Sequence, residues 1–317
     1  MRFVHLPGEE AGGAQQRGVA VALGNFDGLH AGHRAVLSAA RKEAEARSLG
    51  FAVATFEPAP RRYFQPDAPP FRILTAHRRA QVLEQLGVNT CFILQFDAGI
   101  ATMSDEAFVE TCLHQGMGAK VVCVGDNFRF GRGRMGDIDS LRRLGGERGM
   151  DLVVQETVVS GGERVSSTRV RTAIEAGDMA TVREALTDVW VVDAVVEHGN
   201  KRGRTFGFPT ANLRLGEIIH PAFGVYALWA RIEGESDWRP AVANFGRTPT
   251  TGLRDPLLEV MIFDFDRDIY GARLQAGLVQ FLRPELHFDS IEAMIAQMGR
   301  DVEQAKAVLA SAAKPGA

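Results

Sequence analysis

The first half of the chain alternates short, continuously apolar runs with segments of helical periodicity. The apolar runs have the length of strands and contain no polar alternation, which is typical of strands buried on both faces. Strands of this kind, separated by helices, predict an α/β doubly wound domain with a parallel sheet. The predicted strands are 19–23, 51–56, 91–94, 121–124 and 152–154, and the predicted helices are 31–47, 76–86, 105–115 and 138–148. Ligands of such sheets bind at the carboxyl ends of strands, so chemistry is expected there.

From about residue 187 onward the pattern changes to short apolar runs separated by turn residues. These runs have no long helix between them, which predicts a small antiparallel barrel or sandwich. The predicted strands are 190–196, 224–230, 240–244, 258–263 and 278–281. Apolar residues at helical spacing from Ile291 to Val302, after an N-cap at Asp289 or Ser290, predict a final helix with a core-packing stripe. We therefore expect a first domain over 1–186, a second over 187–312 and a disordered tail over 313–317.

Composition narrows the classes of partner. The 317 residues carry a formal net charge of -3, which gives no overall positive field, so we expect no nucleic-acid partner. The three cysteines form no CxxC pair, which favours buried thiols in a reducing compartment. No apolar run approaches the roughly 20 residues of a membrane helix, and no secretory signal is visible. We expect a cytoplasmic protein without a membrane partner, and the sequence leaves monomer or homo-oligomer open.

The sharpest motif of the first half is the decapeptide G-N-F-D-G-L-H-A-G-H, which runs from Gly24 to His33 where the first strand turns into the first helix. His30 and His33 are three residues apart, so both can project from one side of the helix start. The free amides and the positive dipole end at this place favour an anion. Two imidazoles there can donate hydrogen bonds to a phosphate. The alternative interpretation is that both are ordinary capping and surface histidines.

A second motif, R-V-S-S-T-R-V-R, begins at Arg164. Ser167 or Thr168 is expected to cap the helix that follows, and these hydroxyls with Arg171 can bind a polyphosphate. The alternative is a capping motif with solvated arginines. Two helix starts suited to phosphate in one parallel-sheet domain together predict nucleotide binding.

The second half opens with a glycine-rich cationic loop that does not have the spacing of a Walker A motif. A proline-fixed turn after the loop presents Thr210 and Asn212, which are two residues apart and share one face of an extended segment. Neutral oxygens of this kind suit Mg²⁺ shared with substrate phosphates. The alternative is a flexible hairpin.

The two motifs of the first half resemble those of the nucleotidyltransferase superfamily. With the segment V-G-D-N-F-R-F-G from Val124, they are similar to the bacterial FAD synthetase branch. This resemblance implies a Rossmann-like domain in which His30, His33 and Arg171 are catalytic, and it places Asn127 and Phe128 near the flavin. The implied ATP-binding residues are Gly24, Phe26, Asp27, Gly28, His30, His33, Ser167, Thr168 and Arg171.

The string G-R-T-F-G-F-P-T-A-N-L from Gly203, with A-N-F-G-R-T-P-T and L-E-V further on, closely resembles riboflavin kinase over about residues 188 to 305. The resemblance implies a six-stranded β-barrel. It also implies Thr210 and Asn212 as ligands of Mg²⁺-ATP and Glu259 as the base for the ribityl 5'-hydroxyl. The implied ATP site of this domain consists of Gly199, Lys201, Gly203, Pro209, Thr210 and Asn212.

Together these resemblances identify the chain as similar to the bifunctional riboflavin kinase/FMN adenylyltransferase family. They imply riboflavin, FMN and ATP as substrates, ATP as co-substrate, Mg²⁺ as cofactor and FMN and FAD as products. Two positions depart from the family pattern, because Ala59 and Met261 stand where histidine is usual. The alternatives are an adenylyltransferase for another acceptor, a non-catalytic flavin-binding regulatory protein, and a kinase with a weak adenylyltransferase.

Overall fold

The structure is a computed structural model that describes residues 1–6, 18–198, 209–247 and 256–316. The chain forms two compact units. The N-terminal unit contains Met1–Ala68 and Arg79–Val165, and the C-terminal unit contains Pro69–Arg78 and Ser166–Ala317. Residues 69–78 and 166–186 thus pack with the barrel half of the chain, and the domain boundary at residue 187 stays a prediction.

The N-terminal unit contains a six-stranded parallel sheet in the order β1-β4-β3-β2-β5-β6. All five predicted strands are present, and the predicted parallel sheet is confirmed. The sequence reasoning missed the edge strand β1, where burial alternates and Phe3 is exposed. The strands are β1 (Arg2–Leu6), β2 (Val19–Leu23), β3 (Gly50–Glu57), β4 (Thr90–Gln95), β5 (Ala119–Gly125) and β6 (Asp151–Gln155).

Helices connect these strands. The helix predicted over 105–115 is divided into a short α-helix and a π-helix, Val109–Gly116. The π-helix ends at a glycine because a Cβ at Gly116 would lie only 2.9 Å from the carbonyl oxygen of Thr111. The α-helices up to residue 146 are α1 (Ala31–Arg47), α2 (Pro60–Phe64), α3 (Ala76–Gln85), α4 (Ala98–Thr102), α5 (Asp105–Phe108) and α6 (Ile138–Gly146). A 3₁₀ turn, Arg132–Arg134, and a small hairpin of β7 (Val159–Ser160) and β8 (Glu163–Arg164) complete the elements.

The order of the strands determines where a ligand can bind. The chain runs from β2 outward through β3 and β4 and then returns to β5 on the other side of β2. This reversal is the topological switch point, where open α/β sheets bind ligands at the carboxyl ends of their strands. The segments that follow β2 and β5 carry the glycine-histidine motif and the Asn127-Phe128 motif. Both predicted motifs therefore lie at the same edge of the sheet.

The C-terminal unit contains a closed antiparallel barrel of six strands, in the order β10-β13-β12-β11-β14-β9, and this confirms the barrel prediction. Its strands are β9 (Trp190–Glu197), β10 (Ala211–Arg214), β11 (Gly224–Ile232), β12 (Arg239–Gly246), β13 (Leu257–Ile262) and β14 (Arg273–Pro284). The C-terminal unit also contains the helices α7 (Ser167–Ala176), α8 (Met179–Leu186) and α9 (Ile291–Ser311).

The outer face of the barrel is covered in part by α9. Ser290 caps the helix through its hydroxyl, as predicted. Ala305 and Leu309 are buried in an apolar cluster with outward-facing barrel residues, and Val302 packs against it. The predicted core stripe does not extend to the helix start, since Ile291 is exposed.

Residues 69–78 belong with the barrel because of polar contacts at buried positions. The indole nitrogen of Trp190 donates to the carbonyl oxygen of Ile73 at 2.8 Å. The Thr75 hydroxyl donates to the buried Asp193 carboxylate, which also accepts from Arg273 at 2.9 Å. Such contacts between residues 80 or more positions apart are not visible in local sequence patterns.

Residues 313–316, which the sequence predicts to be part of a disordered tail, make specific contacts. The carbonyl oxygen of Ala313 accepts from the indole of Trp229 at 3.1 Å. The backbone N–H of Gly316 donates to Asp188 at 3.0 Å. The Lys314 ammonium lies 5.4 Å from the centre of the Trp229 ring. A tryptophan on the outer barrel face thus provides both an apolar surface and a donor for the chain end.

We expect Asp301→Ala to destabilise the C-terminal unit. The buried Asp301 carboxylate accepts from Arg283 at 2.6 and 2.9 Å and from Gln297 at 2.8 Å. Its loss leaves a largely buried guanidinium without its carboxylate, which costs about 3 kcal/mol of unfolding free energy. Denaturant unfolding measures the change, and Glu303→Ala, in the exposed pair with Lys306, is the control. Equal unfolding curves for both variants would contradict the role of this ion pair.

Candidate active sites

The turn after β2 has an unusual backbone. Phe26 and Leu29 have φ angles of 47° and 47°, and Gly28 has a φ angle of 90°. Left-handed conformations are unfavourable for residues with a Cβ, so this turn is strained. It keeps this conformation only because contacts with its surroundings compensate for the strain. Burial of the Phe26 and Leu29 side chains, each about 1% exposed, stabilises the conformation. The turn thereby delivers the backbone directly into the start of α1.

His30 and His33 meet at the start of α1. Nδ1 of His30 accepts the backbone N–H of His33 at 3.3 Å, which makes His30 the N-cap of the helix. In the neutral ring this hydrogen bond leaves the proton on Nε2. The two imidazoles stack with their centroids 3.7 Å apart. The sequence prediction that both histidines belong to one helix start agrees with this geometry.

Two glycines lie close to aromatic rings of this turn. A Cβ at Gly32 would lie 3.2 Å from both Cε1 and Nδ1 of His30, and a Cβ at Gly24 would lie 3.4 Å from the Phe26 ring. The distances at Gly32 are tighter than ordinary van der Waals contact, whereas the distance at Gly24 is at the lower end of that range. A larger residue at Gly32 would therefore displace the His30 ring.

Side chains from the neighbouring strand and from α3 hold the turn in place. The Asn25 carbonyl oxygen accepts from the Thr55 hydroxyl at 3.1 Å and from Arg79 at 3.4 Å. Arg79 is 5% exposed and also binds the Glu57 carboxylate at 3.0 Å. Asp27 is itself buried within the turn. These contacts explain how a strained segment keeps one conformation.

Asn127 and Phe128 follow β5 at the same edge of the sheet. The preceding Asp126 accepts from the backbone and the hydroxyl of Thr157, which ties this segment to the chain after β6. Asn127 is exposed, and the half-buried Phe128 lies parallel to Phe130 with the ring centroids 5.8 Å apart. The structure thus presents an amide and an aromatic surface beside the turn of β2.

The sequence reasoning missed a row of aromatic rings at this edge. Phe64, of which 64% is exposed, contacts Phe96 with a centroid distance of 5.7 Å, and Tyr63 contacts the same ring at 5.4 Å. Further rings continue the row to Phe128, and these are Phe56, Phe108 and Phe130. Aromatic residues placed directly after two predicted strands were the available signal. Phe108 and Phe130 in the middle of the row are buried in the core, whereas Phe64 and Tyr63 at one end offer an exposed apolar surface and Phe128 at the other end is half-buried.

Ser167, Thr168 and Arg171 lie in the first turns of α7. The helix is capped by Ser166, whose hydroxyl accepts the Arg169 N–H at 3.2 Å, so the prediction of a cap at Ser167 or Thr168 is wrong by one position. The helix begins one residue earlier because Ser166 is the last residue with extended backbone. Arg171 donates to the carbonyl oxygen of Phe71 at 2.8 Å. These residues belong to the C-terminal unit, and His30 and His33 belong to the N-terminal unit.

In the barrel, β13 pairs with β10 on one side and with β12 on the other. Glu259 stands opposite Asn212 of β10 and opposite Asn244 of β12. Its neighbours Leu258 and Val260 are buried in the barrel interior, so Glu259 faces outward. Three polar side chains thus form one row across three strands, which we call the polar row (Asn212, Glu259 and Asn244).

The environment of Glu259 raises its pKa. The main cause is burial, which disfavours the ionised carboxylate, and the negative charge of Glu285 adds to it. Within the described ranges Glu259 has no hydrogen-bond or ion-pair partner. A carboxylate of this kind holds a proton more readily than an exposed one and keeps its lone pairs open, which suits a general base.

The remaining predicted residues fall into three groups. Pro209 and Thr210 directly precede β10, and Asn212 is the buried second residue of that strand. Gly199, Lys201 and Gly203 lie in 199–208, outside the described residues. Among the departures, Ala59 precedes α2 without a side-chain capping bond, and Met261 packs against the apolar cluster of α9.

Two protein families match the chain, one over the part with the parallel sheet and the other over the part with the barrel. Residues 13–169 match the FAD synthetase family, and residues 186–309 match the riboflavin kinase family. The two matches therefore identify the chain as a transferase of flavin nucleotides, with an adenylyltransferase part followed by a kinase part.

Curated relatives extend over nearly the whole chain. The bifunctional riboflavin kinase/FMN adenylyltransferase of Escherichia coli K12 is 38% identical over 91% of this chain and 92% of the relative. The protein of the same name from Pseudomonas fluorescens is 38% identical over 94% of this chain and 96% of the relative. The one from Bacillus subtilis is 32% identical over 90% of each chain. The chain belongs to the bifunctional riboflavin kinase/FMN adenylyltransferase family.

A solved structure from Streptococcus pneumoniae, named a macrolide-efflux protein, has a TM-score of 0.84 and 28% identity, covering 96% of this chain and 99% of that one. The name describes the other protein. In the part of this chain that the structure describes, no helix is both long and apolar enough to cross a bilayer.

We expect Gly32→Ala to slow FMN adenylylation about tenfold or more, because the added Cβ displaces the His30 ring from the start of α1. The rate of FAD formation from FMN and ATP measures the effect. Gly146→Ala, at a position in the N-terminal unit with open space around it, is the matched control. The same rate in both variants would show that the position of the His30 ring does not matter.

Proposed function

We propose that the C-terminal unit transfers the γ-phosphoryl group of ATP to riboflavin and that the N-terminal unit transfers the adenylyl group of a second ATP to FMN. The products are FMN with ADP and FAD with diphosphate. The observation that carries the proposal is the pair of dissimilar sites. One is an outward carboxylate in a row of amides on a barrel, and the other is a histidine pair at a helix start on a parallel sheet. Each lies in the part of the chain that matches the corresponding family.

In the kinase reaction, the 5'-hydroxyl oxygen of riboflavin attacks the γ-phosphorus of ATP. The bond between that phosphorus and the bridging oxygen breaks, ADP leaves, and Glu259 accepts the hydroxyl proton. The raised pKa of Glu259 and its open lone pairs support this role.

The donor set around Glu259 fits a magnesium ion. The side-chain oxygens of Thr210 and Asn212 are of the hard type that Mg²⁺ binds, and Asn212 is buried beside Glu259. Among the described residues there is no group of three or more His, Cys, Asp or Glu side chains that would form a full protein cage. Thr210 and Asn212 would hold the ion together with the ATP phosphates, and it would neutralise charge on them. We assign Gly199, Lys201, Gly203 and Pro209 to the same ATP site on the family motif.

In the adenylyl transfer, an FMN phosphate oxygen attacks the α-phosphorus of ATP and diphosphate leaves. The acceptor is already an anion, so the site needs donors and not a base. We propose that the N–H groups of His30 and His33 and the start of α1 stabilise the charge on the phosphates. The turn of Gly24, Phe26, Asp27 and Gly28 brings the backbone close to ATP, and the hydroxyls of Ser167 and Thr168 with Arg171 bind phosphate, as the family motif implies.

We propose that the flavin of FMN lies near Asn127 and Phe128. Phe128 ends the row of aromatic rings that reaches the exposed Phe64. An aromatic surface with an adjacent amide matches a planar ring system that carries hydrogen-bonding groups at its edge.

The proposed setting is the cytoplasm, with small-molecule substrates only. Cys91, Cys112 and Cys123 are buried free thiols, which fits a reducing compartment. Burial raises the pKa of Cys91 to about 11, so it is no thiolate at neutral pH.

We expect Glu259→Gln to lower FMN formation from riboflavin by about 100-fold or more, because an amide cannot accept the proton. FAD formation from supplied FMN should stay at the wild-type rate, and chromatography of the three flavins measures both reactions. Equal loss of both reactions in a folded variant would contradict the assignment of Glu259 to the kinase.

We expect the reverse pattern for His30→Ala. The loss of one phosphate donor should slow FAD formation from FMN by about 100-fold and leave riboflavin phosphorylation unchanged. His5→Ala, on the exposed part of β1, is the matched control for the N-terminal unit. Wild-type FAD formation in His30→Ala would remove His30 from the site.

A further inference from the structure

A second carboxylate lies next to the polar row. Glu285 directly follows β14, and its Oε1 accepts from Nδ2 of Asn244 at 3.4 Å. Asn244 is also the cross-strand neighbour of Glu259. One amide therefore stands beside two carboxylates, and it donates to only one of them among the described residues.

Two glycines build the place that Glu285 occupies. Pro284 pairs with Gly224, where a Cβ would lie 2.2 Å from the carbonyl oxygen of Arg283, so only glycine lets the end of β14 approach β11 this closely. A Cβ at Gly246 would lie 2.0 Å from Oε1 of Glu285 and 2.9 Å from Nδ2 of Asn244. The glycine two positions after Asn244 thus leaves the slot in which the carboxylate meets the amide.

No cation of the described residues holds Glu285 there. Within the described ranges Glu285 forms no ion pair. The adjacent Arg283 is paired with Asp301 at 2.6 Å, and the Arg247 guanidinium lies over the Phe223 ring, 5.7 Å from its centre. Its hydrogen-bonding contact is the Asn244 amide.

The direction of that amide matters for Glu259. A carboxylate accepts hydrogen bonds readily, and an amide N–H beside a half-buried carboxylate with open lone pairs is a natural donor to it. A bond from Asn244 to Glu259 would compete with the substrate hydroxyl for the same lone pairs. The contact with Glu285 gives the amide another acceptor.

We propose that Glu285 is a positioning residue for riboflavin phosphorylation, which holds the Asn244 amide and so leaves the Glu259 carboxylate open to the substrate hydroxyl. This inference rests on the proposed role of Glu259 as the base.

The test compares kcat and the riboflavin KM in three variants of the full chain. Glu285→Ala removes the acceptor, so kcat should fall about tenfold while KM stays within about twofold. Glu285→Gln keeps an acceptor oxygen and should retain a kcat within about twofold of wild type. Adding Asn244→Ala to Glu285→Ala removes the competing amide and should restore most of the lost kcat.

Thermal unfolding followed by circular dichroism reports that the barrel of each variant is folded, and Glu303→Ala on α9 is the control for loss of an exposed carboxylate. A wild-type kcat in Glu285→Ala, an equal loss in Glu285→Gln, or a double variant no faster than Glu285→Ala would overturn the inference. Its failure is distinguishable from failure of the base assignment, because the latter appears as full FMN formation in Glu259→Gln.

Discussion

Backbone pairing of β13 with both of its neighbours is the constraint on which the kinase half of the account depends. The register places Glu259 opposite Asn212 on one side and Asn244 on the other, and strand alternation turns all three away from the barrel interior. A slip by one residue would bury Glu259 and expose Leu258. The core packing of the barrel therefore also positions the proposed base, and closure of the barrel fixes the register on both edges of β13.

The two units use ATP for different reactions, one with an alcohol as acceptor and the other with a phosphate. An alcohol must lose a proton to attack phosphorus, so the barrel offers a carboxylate that is partly buried and has open lone pairs. A phosphate acceptor is already ionised, so the sheet offers backbone amides and imidazoles at a helix start. In the proposed function this turn brings the backbone close to the phosphates, and burial of the Phe26 and Leu29 side chains keeps its left-handed conformation in place.

Much of this architecture was predictable from the sequence because the signals are local. Continuous apolar runs indicated the parallel sheet, and α1 begins and ends at the predicted residues. Family motifs indicated Glu259 and the histidine pair. Other features depend on contacts between distant residues and were missed. The strand β1 contains Arg2 and His5 and is therefore no continuous apolar run. The 69–78 segment joins the barrel through Trp190 and Asp193, and Glu285 meets Asn244 only because two glycines let strands approach.

Mixing two single-site variants tests the separation of the sites most directly. Glu259→Gln and His30→Ala are each incubated with riboflavin and Mg²⁺-ATP, alone and then together, and the flavins are resolved by chromatography. The account predicts that Glu259→Gln alone leaves riboflavin, that His30→Ala alone stops at FMN, and that the mixture forms FAD. FAD from either variant alone, or one folded variant that has lost both reactions, would contradict it.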